Sequence, residues 1–205
     1  MIDAIYGNFK AVFDMTWPML LISTILVTSV RVSYLSKHKE KFILYKEALL
    51  LLFMLYILSL FQVVTSQDMN VVNGHNLIPF AEIFRYKLGD RLFIKNVMGN
   101  VLLFMPYGFF ASLFAETKKM CHAIILIASA SVLIELTQMA IGRIFDVDDI
   151  ILNVIGGMFG YYIYISLDKI GGLAPNVFKS KVFLNIITTL ILIGVLVTMI
   201  MWAVV

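Results

Sequence analysis

The sequence predicts an all-α integral membrane protein, a polytopic helical bundle of about six transmembrane helices. Three observations predict it. Of the 205 residues, 61% are hydrophobic and only 14% are charged, whereas soluble domains are about 45–50% apolar and about 25% charged. The mean hydropathy is +0.94. The apolar residues are also gathered into runs near the length that crosses a hydrocarbon core.

The first run covers about residues 15–35 and is ended by "LSKHKEK". The second covers about 48–65, and the third about 97–115, followed by "ETKKMCH". The fourth covers about 123–141 and the fifth about 150–167. The sixth covers about 182–204, after "DKIGGLAPNVFKSK", whose Gly-Gly and Pro read as a loop. The opening "MIDAIYGNFKAVFDM" places an acid before any lysine, and the run after it is long enough to span. A cleavable signal peptide is therefore not expected. The expected organisation is a single membrane domain over 1–205, without internal repeats or an appended soluble domain.

The net charge of +3 gives no basis for a nucleic-acid partner. The single cysteine, Cys121, excludes an internal disulfide and a four-cysteine zinc site. Orientation follows from lysine and arginine in the short loops. One side collects ten: Arg31, Lys37, Lys39, Lys41 and Lys46, then Lys118 and Lys119, then Lys169, Lys179 and Lys181. The other side has six, Lys10, Arg85, Lys87, Arg91, Lys95 and Arg143, accompanied by most of the aspartates. The first side is expected to be cytoplasmic, with both termini extracytoplasmic.

The polar residues that packing explains least then fall at the outer ends of the third, fourth and fifth helices. On the fourth, Glu135 and Gln138 are three apart and share a face. An ionisable group at the depth of Glu135 costs a few kcal/mol unless it is paired or hydrated. On the fifth, Asp146, Asp149 and Asn153 fall at i, i+3 and i+7, one helical stripe. Asp146, Asp148 and Asp149 also sit where the helix dipole favours negative charge. The third helix opens with Asn96 and Asn100, and the loop before it contains "HNLIPF". Pro106 is expected to kink that helix or open a gap in its backbone bonding. Gly156 and Gly160 make a small-xxx-small face, expected to lie against the fourth helix. Simpler roles compete: an aspartate at a helix start is commonly a cap, and Arg143 with Asp146 would be a weak surface pair.

These segments resemble the signatures of VanZ-like membrane proteins. "NLIPF" (76–80) matches an NLxPF element, and "NVMGNVLLFMPYG" (96–108) matches N-x-x-G-N-x-x-x-F-x-P-x-G. From Glu135 to Gly156 the chain matches E-x-x-Q followed by R-x-x-D-x-x-D-x-x-x-N-x-x-G. The resemblance covers about residues 45–167. It leaves an additional transmembrane helix in 1–44, and a cytoplasmic loop with a C-terminal helix in 168–205. It implies a bacterial cell-membrane protein and a phenotype, low-level resistance to teicoplanin, a lipoglycopeptide that acts on cell-wall precursors outside the membrane. It does not imply a reaction.

Three functions compete. In the first, an outward polar pocket of Asn96, Asn100, Glu135, Gln138, Arg143, Asp146, Asp148, Asp149 and Asn153 binds the drug or a lipid-linked cell-wall intermediate, with membrane lipids as surroundings. In the second, an intramembrane enzyme uses Glu135 as general base, with Mg2+ as an optional cofactor on Asp146, Asp148 and Asp149. No Ser-His pair, HExxH or phosphate-binding glycine loop supports a familiar hydrolase. In the third, a small lipid or solute transporter, intramembrane carboxylates mark a path, but the polar groups do not cross the bilayer.

Overall fold

The computed structural model describes residues 2–39, 41–66, 75–81, 83–86, 89–173 and 180–204. The long helices are α1 (Ile2–His38), α2 (Leu44–Ser66), α4 (Gly99–Phe114), α5 (Met120–Ala140), α6 (Val147–Leu173) and α7 (Lys181–Val204). The short helix α3 (Arg91–Phe93) leads into α4. Two two-residue strands, β1 (His75–Asn76) and β2 (Phe145–Asp146), complete the fold. Among the described residues, five stretches are long and apolar enough to cross a membrane: Trp17–His38, Leu44–Gln62, Asn96–Phe114, Met120–Ala140 and Val147–Gly171. Helix α7 adds a shorter apolar stretch, Lys181–Ile191. The protein is an all-α, multi-pass membrane protein.

The chain divides into two compact units, Met1–Tyr56 with Ile170–Val205, and Ile57–Lys169. In the first, Arg31 donates from Nε and Nη2 to the two Glu47 oxygens at 2.8 and 3.2 Å, joining the end of α1 to the start of α2. The Tyr45 N–H donates to Asn185 Oδ1 at 3.1 Å, which ties α2 to α7.

The second unit holds the polar motifs. Its helices α4 and α6 approach backbone to backbone. A Cβ on Gly156 would stand 2.1 Å from the Val101 carbonyl oxygen, and one on Gly160 would stand 1.9 Å from that of Met105. Gly108 of α4 returns the contact, with the Gly157 carbonyl oxygen 1.9 Å from where its Cβ would be. The small-residue face of α6 thus meets α4, not α5 as the hairpin connection suggested. Backbone contact needs small residues on both sides. Helix α4 supplies Gly108, whereas α5 has no glycine and places the Ile127 side chain against Gly157.

The run into α4 also begins earlier than its hydropathy indicates. After α3, residues Ile94–Met98 form a wider turn, in which the Gly99 N–H reaches back to the Ile94 carbonyl. Such turns inside helices often accompany functional sites. Pro106 lies within α4 and offers no N–H to the Leu102 carbonyl.

Candidate functional site

The polar groups collect at one end of α4, α5 and α6, and the turn after α5 begins the assembly. Gly142 has φ +87°. Its N–H donates to the Met139 carbonyl at 3.1 Å, and the Arg143 N–H donates to that of Gln138 at 3.0 Å. This glycine-centred cap stops the helix and turns the chain back over its own last turn. The next residues extend as β2 and pair in parallel with β1, His75 opposite Phe145 and Asn76 opposite Asp146.

Glu135 is 1% exposed. Its Oε2 accepts the Asp146 N–H at 3.0 Å. The Gln138 amide, oriented as its neighbours require, donates to Glu135 Oε1 at 2.8 Å and accepts from Arg143 Nη1 at 2.7 Å. A guanidinium, an amide and a buried carboxylate therefore form one chain. Each member uses its natural donor or acceptor capacity, which is how a carboxylate can be held at this depth.

The three aspartates have separate tasks. Asp146 Oδ1 accepts from Asn76 Nδ2 at 3.0 Å and from the Asp148 N–H at 2.8 Å. Asp149 Oδ1 accepts from Asn100 Nδ2 at 2.5 Å, joining α6 to α4. Asp148 is 1% exposed and turns to the segment between β1 and α3, where its two oxygens accept the Phe80 and Ile83 N–H groups. Phe80 has φ +68°, an unusual conformation for a bulky residue that these bonds hold in place. Among the described residues, no three carboxylate, histidine or cysteine groups are placed to share an ion. The cause is that Asp148 spends both oxygens on backbone donors, away from the Asp149–Asn100 pair.

Asn153, one turn beyond Asp149, donates from Nδ2 to Ser131 Oγ at 2.9 Å. Its Oδ1 is buried and has no hydrogen-bond partner. Asn96 is set apart from Asn100: the wide turn gives it Tyr86 Oη as acceptor, at 2.9 Å. The structure thus brings Glu135, Gln138, Arg143 and Asp146 into one network, joins Asn100 to Asp149 and Asn153 to Ser131, and directs Asp148 and Asn96 to the loop. Sequence spacing did not single out Asn76, Ser131 or Tyr86. Ser131 could have been found as the residue four before Glu135, on the same face.

The opposite end of this unit has a different chemistry. Lys118 Nζ pairs with Asp168 Oδ2 at 2.8 Å, and Tyr161 Oη donates to the Lys118 carbonyl at 2.8 Å. An open cavity of about 550 Å3 lined by Thr117, Lys118, Lys119 and His122 lies there, far along α5 from Glu135.

Fold and site together define a polytopic helical membrane protein with a buried acid–amide network at one end of a glycine-packed helix group. The chain belongs to the VanZ/LLP1 family, whose model matches residues 42–170. No curated protein and no solved structure matches it.

Proposed function

We propose that this protein confers resistance to lipoglycopeptide antibiotics of the teicoplanin kind, through an outward-facing polar site that binds the drug or a lipid-linked cell-wall intermediate. Family membership supports the phenotype. The ten-to-six distribution of lysine and arginine supports the outward orientation. The observation that carries the binding reading is Asn153 Oδ1, an acceptor that is buried without a partner, one helical turn from Asp149 and its half-buried carboxylate. An orphaned buried acceptor costs about 1–3 kcal/mol, and a hydroxyl or amine donor of a ligand head group would recover it. Sugar hydroxyls and cationic amines are donors of this kind, and carboxylates hold them through charge-assisted bonds.

The test compares cells carrying the wild type or Glu135→Gln, scored for teicoplanin susceptibility and for the mass spectrum of their extracted lipids. Binding predicts that resistance is lost in the variant while the lipid profile is the same in both. A lipid intermediate that appears or vanishes with the substitution would indicate catalysis and overturn the binding reading.

A further inference from the structure

We infer that the apolar side chains of Leu77, Ile78, Phe80 and Phe84, in the segment between β1 and α3, lie in lipid against the acyl chains at the carboxylate end of α4 and α6. Two independent observations carry this.

The first is its surface. Leu77 is 59% exposed, Ile78 70%, Phe80 48% and Phe84 82%. Four large apolar side chains within eight residues, presented this openly to water, would be an anomaly in a soluble loop, and contiguous apolar patches of this kind mark lipid or partner surfaces. A second exposed apolar set follows after the charged stretch RYKLGDR, residues 85–91. Leu92, Ile94 and Leu102 are exposed along the approach to α4 and on α4 itself, within or just before the stretch long enough to span.

The second is its backbone. Irregular chain is tolerated at membrane depth only where the protein satisfies its polar groups, because lipid offers no hydrogen bonds. The Ile78 N–H donates to Asn76 Oδ1 at 3.3 Å, and Pro79 has no N–H. The Phe80 and Ile83 N–H groups donate to Asp148. The Ala81 N–H donates to the Ile78 carbonyl at 3.4 Å, and the Phe84 N–H to the Phe80 carbonyl at 3.1 Å. From Ile78 to Phe84, every N–H of the described residues therefore has an acceptor within the protein. A loop whose N–H groups are bonded within the protein can leave water for lipid at a lower cost. Asp148 then has a positioning role: its carboxylate replaces the solvent that the loop backbone leaves behind. This inference does not depend on which ligand, if any, the polar site takes.

The test places a single tryptophan at Phe84 (Phe84→Trp) in a Trp17→Phe, Trp202→Phe background, with Ile78→Trp as an independent second probe. Each protein is reconstituted into liposomes containing phospholipid brominated in the upper acyl chain, and iodide is added from the water. Immersion predicts that bromolipid removes most of the emission at both positions and that iodide removes little. It also predicts that adding Asp148→Asn reduces the bromolipid quenching, because one carboxylate acceptor is lost and the loop lifts. Quenching by iodide without bromolipid would place the loop in water and overturn the inference. Protection from both quenchers would overturn it as well, by showing that protein, such as a second copy of the chain, covers the patch.

Discussion

Gly160→Ala is expected to prevent accumulation of the folded protein. The added methyl would fall 1.9 Å from the Met105 carbonyl oxygen and 2.6 Å from the Phe109 nitrogen. Both are backbone atoms of α4, so no rotamer change can relieve the clash. Overpacking that side chains can absorb costs about 1–3 kcal/mol, and moving one helix off another costs more. Association of helices within lipid relies on close packing and interhelical hydrogen bonds instead of a hydrophobic drive, so the Asn100–Asp149 bond would be left without the packing that supports it. Gly108→Ala meets the Gly157 carbonyl oxygen at 1.9 Å and should fail in the same way. Gly171→Ala is the control, with nothing within 4 Å of its added carbon. Size-exclusion profiles and thermal melts of the detergent-extracted proteins report the outcome. A native-like Gly160→Ala protein would mean that α4 and α6 do not touch through their backbones.

Asp148→Ala is the second large effect. It removes the acceptor for two N–H groups, those of Phe80 and Ile83, on a side chain that is itself 1% exposed. Each orphaned donor costs about 1–3 kcal/mol, so the loss is expected to be about 2–6 kcal/mol. Asp148→Asn keeps one acceptor oxygen and should fall between. The melting temperature should drop in that order, and limited proteolysis should open first in the segment between β1 and α3. An alanine variant as stable and as protease-resistant as the wild type would show that Asp148 does not hold the loop.

The helices were legible because each apolar run is close to the span of a bilayer and is bounded by lysines or by Gly and Pro. The acid and amide faces were legible for a similar reason: Glu135 with Gln138, and Asp149 with Asn153, obey helical spacing, whereas Asp146, counted into the same stripe, lies in β2 just before α6. What spacing could not supply was the partner across space. Gly156 and Gly160 announce a close approach but do not say to which helix; they meet the Val101 and Met105 carbonyls, on a helix not adjacent in the chain. Asp148 is one residue from Asp149, yet a helix turns about 100° per residue, so it leaves the stripe and faces the loop. Its role depends on Phe80 and Ile83, 68 and 65 positions earlier, a separation that no local pattern encodes. The Asn76 contact is of the same kind, set by a two-residue parallel pairing too short to leave a sequence signal.

The most direct test of the proposed outward binding site is native mass spectrometry of the detergent-extracted protein with teicoplanin and, separately, with a lipid-linked cell-wall precursor. The account predicts that the wild type retains one of the two as a stable adduct and that Glu135→Gln, melting at a similar temperature, does not. Failure of the folded wild type to retain either, or equal retention by both proteins, would contradict it.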